Sequence, residues 1–139
     1  MFKILVSDKL EKEGLDILTA DKNFQVDCKF GIPAVELKSI IKDYDALIVR
    51  SGTQVTADIL DGAGKLKVIG RAGVGLDNVD LTAATKKGVV AMNTPAGNTT
   101  STAEHTMSMI MALTRNIPQA VASVRAGKWE RSKFTGVEN

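Results

Sequence analysis

One cysteine and one histidine occur among 139 residues, and each scarcity closes a class of function. Cys28 alone can form neither an internal disulfide nor a cysteine cage for a metal, which fits a reducing compartment. Its place in a strand-like segment makes a small, buried, apolar residue of it. His105 falls in an apolar helical stretch, and no strand end pairs a histidine with an acid at hydrolase or oxidoreductase spacing, so neither His105 nor Glu104 is expected to be catalytic. No metal site is expected. The formal net charge of +2 is too small to argue for nucleic acid. No apolar run approaches the ~20 residues that span a bilayer, and no basic-then-apolar leader opens the sequence, so a cytoplasmic protein without a membrane partner is expected.

What is present is an ordinary globular balance, 44% hydrophobic and 24% charged, over a length that suits one domain with a sizeable core. Phe2–Ser7, Phe24–Cys28, Asp45–Val49, Leu66–Ile69 and Val89–Met92 read as five short strands. Helical patterns lie between them. The first follows Asp8, with Leu10, Leu15 and Leu18 on one face; the second turns in at Gly31 and Pro33, with Val35, Leu37, Ile40 and Ile41 inward; the third is capped by Thr56; the fourth runs from Val79 to Lys86 and stops at Gly88. Strands alternating with helices at this spacing predict an α/β fold, a five-stranded parallel sheet with helices on both faces. Ligands of such sheets bind beyond the carboxyl ends of the strands.

Those ends carry Ser7 and Asp8, then Arg50, Ser51, Gly52 and Thr53, then Arg71 with Gly73, Val74 and Gly75, then Asn93. Glycines let successive N–H groups point at an anion, with help from a following helix N-terminus, and guanidinium groups bind carboxylate or phosphate oxygens through paired hydrogen bonds. A small, multiply charged anion is the expected ligand. Gly73-Val-Gly75 is not a dinucleotide fingerprint, because Asn78 stands where Gly-x-Gly-x-x-Gly needs its third glycine. A phospho-accepting receiver domain is excluded too, since Arg50 holds the place of its aspartate. Beyond the polar segment Thr94–Thr102 a single long helix is expected from Thr102 to Arg125, bent or locally unwound one turn before Pro118. Met107, Met109, Ile110, Met111 and Leu113 make it apolar around much of its circumference, so it needs a partner, and pairing into a homo-oligomer through this helix is expected. The segment Gly127–Asn139 reads as a basic loop.

The blocks Leu47-Ile-Val-Arg-Ser51, Val68-Ile-Gly-Arg-Ala-Gly-Val-Gly-Leu-Asp-Asn-Val-Asp80, Met92-Asn-Thr-Pro-Ala-Gly-Asn-Thr-Thr100 and Gly127-Lys-Trp-Glu-Arg131 resemble, in this order, those of the D-2-hydroxyacid dehydrogenases. The resemblance covers the whole chain. It implies a flavodoxin-like substrate-binding domain over residues 1–98, with residues 99–139 supplying a helix that crosses into a nucleotide-binding domain and a basic loop. It also implies NAD as cofactor of the full enzyme, though not bound by this piece, and a small phosphorylated hydroxy acid as substrate. The Val74 and Gly75 N–H groups would hold the substrate carboxylate, with Arg50 and Arg71 as clamps, Asn98 closing the wall, and Arg131 with Lys133 reaching the phosphate of a neighbouring subunit's substrate. The family's NAD fingerprint and its catalytic arginine, glutamate and histidine are not among these residues, so no turnover is expected from them alone. Two alternatives stay open: a non-catalytic anion-binding or protein-interaction module, and a dehydrogenase for another hydroxy acid such as glycerate or lactate.

Overall fold

In the computed structural model, which describes residues 1–137, the chain forms two compact units, Met1–Gly97 and a second from Asn98 onward. In the first, five parallel strands, β1 (Phe2–Val6), β2 (Phe24–Cys28), β3 (Ala46–Val49), β4 (Val68–Arg71) and β5 (Val90–Met92), lie in the order β2-β1-β3-β4-β5. The helices between them are α1 (Lys12–Ala20), α2 (Ala34–Ile40), α3 (Ala57–Asp61) and α4 (Leu81–Lys86). This is the flavodoxin-like order, with its topological switch between β1 and β3.

Handedness decides how the sheet is covered. The step from β1 to β2 runs one way across the sheet and the three later steps run the other, so right-handed crossovers put α1 on one face and α2, α3 and α4 on the opposite one. Burial follows the register. Leu5, Leu47 and Ile69 stand side by side on β1, β3 and β4, under three helices, and all are fully buried. The neighbouring row on the other face runs from Ile4 through Ala46 and Val68 to Val90, which is 54% exposed at the far edge. Leu37 and Ile41, four residues apart, complete the covered side with Val49, Ile59 and Leu60.

Several expectations are corrected here. Val35 is exposed, because α2 opens at Ala34 and a residue two before Leu37 points away from the sheet. Cys28 is exposed rather than buried, since β2 is an edge strand and Cys28 is its last residue. β4 lies two residues later than expected, and α4 opens at Leu81, with the Asp80 carboxylate accepting from the Ala83 N–H at 2.9 Å. Thr56 does precede α3, without a side-chain cap bond.

The second unit holds α5 (Thr99–Thr114) and α6 (Ile117–Arg125) in place of one long helix. Pro118 has no N–H, and its ring would strike the carbonyl of Thr114 four residues back, so α5 ends at that residue. Asn116 then takes the left-handed conformation, φ 52°, and its side chain donates to the Thr135 carbonyl at 3.1 Å. No residue of α5 is buried, and its Met107, Met109, Ile110, Met111 and Leu113 are all exposed. Within α6 the Ser123 hydroxyl donates to Glu130 at 2.8 Å, which with Lys133 holds the Glu130 carboxyl below the usual carboxylate range. The tail loop contains a 3₁₀ turn, Arg131–Lys133; the last residues of the expected loop, Glu138 and Asn139, lie outside the described ones. Among the described residues no helix is long and apolar enough to cross a membrane, and no group of His, Cys, Asp and Glu could hold a metal ion.

Candidate anion site at the carboxyl edge of the sheet

Parallel strands all end at the same edge, and the loops that leave it must satisfy their own backbone groups. After β4 the loop does so almost completely. The Gly73 carbonyl accepts from the Thr94 N–H at 3.0 Å, the Val74 carbonyl from the Asn93 carboxamide, and the Gly75 carbonyl from the Arg71 guanidinium. With all three acceptors tied down, the N–H groups of Val74 and Gly75 make no hydrogen bond among the described residues. Val74 is itself exposed. Two successive, unpaired, accessible donors form a small anion-binding concavity. The expected help from a helix N-terminus is not there: α4 begins only at Leu81, and Asp80 caps it.

The two arginines divide their work. Arg50, just past β3, is exposed, has no ion pair among the described residues, and makes one long contact, 3.4 Å, to the Lys9 carbonyl. Its guanidinium is available to an incoming anion. Arg71, expected as a second clamp, is instead turned into its own loop. Its side chain is 11% exposed, 3.4 Å from Asp77, and donates to the Gly75 carbonyl and, at 3.4 Å, to the Arg50 carbonyl. It acts as a strut beneath the amides. Gly75 leaves room for that packing: a Cβ there would stand 2.9 Å from Arg71 Nη1 and 2.6 Å from Asp77 Oδ1, so both side-chain ends would have to shift.

The turn bearing Arg50 and Ser51 is held from both sides. Asp8, at the end of β1, accepts from the Arg50 N–H at 2.7 Å and the Thr53 N–H at 3.0 Å, and lies 3.0 Å from the Thr53 hydroxyl, which also meets Ser7 at 2.8 Å. Asn78, only 4% exposed, donates its carboxamide to the carbonyls of Arg50 and Thr53, both at 2.7 Å. Ser51 is exposed at the mouth of this turn. Asp8, Asn78 and Asn93 carry no charge pattern that marks them as site-forming. Their signal is positional, since short side chains with amide or carboxylate groups at strand ends bond neighbouring loop backbone. On the other side of the Arg50 turn, Asp8, Ile32, Leu37, Gly52 and Thr53 line a separate cavity of about 290 Å³.

The remaining expected residues, Asn98 and Arg131, belong to the second unit. Asn98 is exposed at the start of α5 without a side-chain cap bond, and Arg131 is exposed in the 3₁₀ turn. Near Arg131, a cavity of about 230 Å³ is lined by Arg115, Val124, Trp129 and Phe134.

Asn78 stands where the dinucleotide fingerprint has its third glycine, its side chain is committed to two carbonyls, and the helix that follows the turn begins only at Leu81.

Known proteins place this geometry in context. The chain is 49% identical over 138 residues to D-3-phosphoglycerate dehydrogenase of Synechocystis, spanning 99% of this chain and 24% of that protein. It is 54% identical over 136 residues to the Homo sapiens protein of the same name, spanning 98% and 25%. A structure of NAD+-bound 3-phosphoglycerate dehydrogenase from Entamoeba histolytica superposes with a TM-score of 0.71 at 29% identity, over 82% of this chain and 39% of that one. The chain thus spans about a quarter of the length of these curated relatives. The family model for the catalytic domain of D-isomer specific 2-hydroxyacid dehydrogenases matches residues 4–132. On a match of that extent, over a sheet of flavodoxin-like order, the chain belongs to the D-isomer specific 2-hydroxyacid dehydrogenase family.

Proposed function

We propose that this chain is the substrate-binding part of an NAD-dependent dehydrogenase that oxidises 3-phosphoglycerate to 3-phosphohydroxypyruvate, a reaction of serine biosynthesis. The observation that carries the proposal is the pair of unbonded N–H groups at Val74 and Gly75, with the unpaired Arg50 on the adjoining loop. Two successive unbonded donors match a carboxylate, and a guanidinium without an ion pair matches a second anionic group. The names of the relatives supply the substrate. Ser51 lines the mouth, while Arg71 and Gly75 shape the loop from behind.

Residues 1–98 constitute the substrate-binding domain in this reading, with Asn98 closing the wall, and residues 99–139 begin the nucleotide-binding region, with Arg131 directed to the phosphate of a neighbouring subunit's substrate. In this reading redox chemistry belongs to other parts of such an enzyme, and this chain binds and orients. It is expected to yield no NADH from 3-phosphoglycerate by itself. A cytoplasmic location and self-association through α5 belong to the same reading.

Calorimetric titration tests it. 3-Phosphoglycerate should bind the chain, Arg50→Ala should weaken binding about tenfold or more, as loss of a charge-assisted hydrogen bond does, and glycerate or lactate should bind less tightly than the phosphorylated acid. Equal affinities for the three acids would favour a dehydrogenase of another hydroxy acid. No binding at all, with no effect of Arg50→Ala, would favour a protein-interaction module.

A further inference from the structure

The Arg50 turn and the Gly73–Gly75 loop follow different strands, and nothing in the sheet itself fixes their spacing beyond the last paired residues, Val49 and Arg71. Past that point the Arg71 guanidinium reaches the Arg50 carbonyl at 3.4 Å, and the two segments are otherwise laced together around Asn78. The Asn78 carboxamide donates to the Arg50 and Thr53 carbonyls, the Asn78 carbonyl accepts from the Val55 N–H at 2.8 Å, and the Asp80 N–H donates to the Val55 carbonyl at 2.9 Å. The turn is thereby held by complementary groups. Asp8 takes its N–H groups, and Asn78 takes its carbonyls.

The orientation of this amide is fixed by chemistry. Both partners of Nδ2 are acceptors, so a flipped carboxamide would set its oxygen against two carbonyls. Asn78 Oδ1 is buried without a hydrogen-bond partner. A carboxamide held for its donors while its acceptor goes unused is a costly arrangement, and a side chain serving only to fill space would not need it. Leu76, Asp77 and Asn78 run directly on from Gly75, so the anchor also sets where the Val74 and Gly75 N–H groups stand relative to Arg50.

We propose that Asn78 is a positioning residue that sets the spacing between the Arg50 guanidinium and the Val74–Gly75 amide pair. As a contribution to substrate binding, this rests on the functional reading above. The conclusion reinterprets Asn78 in the glycine motif: where a dinucleotide site would have its third glycine, this loop has a clamp to the neighbouring substrate loop.

Amide hydrogen exchange and a 3-phosphoglycerate titration on the full chain, wild type beside Asn78→Ala, Asn78→Ser and Arg50→Ala, test it. In Asn78→Ala, exchange at Arg50, Thr53 and Val55 should accelerate while Leu5, Leu47 and Ile69 keep their protection. Affinity should fall about tenfold, the equivalent of one or two lost hydrogen bonds. Asn78→Ser, which keeps one donor, should fall between wild type and alanine in both measurements. Arg50→Ala should lose affinity with its loop exchange unchanged. Unaltered exchange in the two loops of Asn78→Ala would overturn the clamp, as would equal loss of protection in the central strands of both Asn78 variants. If wild type binds no 3-phosphoglycerate, the functional reading fails, and the exchange pattern still decides whether Asn78 is the clamp.

Discussion

Arg50 and Arg71 have the same side chain and neighbouring strand ends, yet their surroundings assign them opposite work. Arg71 is inside its loop, where Gly75 leaves room for it and Asp77 pairs with it; the Arg50 guanidinium makes no ion pair among the described residues and reaches only the Lys9 carbonyl, although Asp8 takes the Arg50 N–H. Sequence placed both at the correct edge but could not separate them, since the distinction depends on a glycine four residues on and the path of the loop between. Asn78 was visible only as a missing glycine for the same reason. Tyr44 offers a test of the core at this scale. It is nearly buried, its hydroxyl donates to Asp27 at 2.9 Å, and burial followed by that carboxylate pushes its pKa up from 10 to about 12. The neutral phenol is therefore favoured in the fold. Its contribution is complete below about pH 10, the ordinary tyrosine value, and is lost as the pH rises from there to about 12. Denaturant unfolding of wild type against Tyr44→Phe should show wild type losing stability more steeply across that interval. Parallel profiles would contradict the assignment.

At the scale of elements, the strands were legible because their apolar runs are short and bounded by polar or glycine residues. Their rank in the sheet was not legible, and rank accounts for one error: Cys28 is exposed because β2 is an edge. Val90, on the other edge strand, is exposed because α1 crosses over the opposite end of the sheet. The break at Asn116 was foreseeable from Pro118, whereas the left-handed turn that completes it depends on a bond to Thr135 nineteen residues away. α5 carries the clearest consequence. It has sixteen residues, a run of exposed apolar side chains and no buried one, an arrangement a lone soluble helix does not keep stable in water. Sedimentation velocity over a wide concentration range should show self-association, reduced by Met109→Glu. A strict monomer throughout would contradict pairing through α5.

For the molecule as a whole, fold class followed from alternation and topology alone, because a parallel sheet leaves few arrangements open, and the same topology named the carboxyl edge as the place to look for a site. What the site does was less legible. A glycine loop after a strand serves nucleotides, phosphates and carboxylates alike, and only the hydrogen-bond accounting shows two donors left over at Val74 and Gly75. That remainder is the centre of the functional assignment. Its most direct test is amide chemical-shift mapping of the chain during titration with 3-phosphoglycerate. The expected result is saturable shifts at Val74 and Gly75, with smaller ones in the Arg50–Thr53 turn. Saturable shifts confined elsewhere, such as the cavity between Asp8 and Ile32, or no shifts at millimolar ligand, would contradict it.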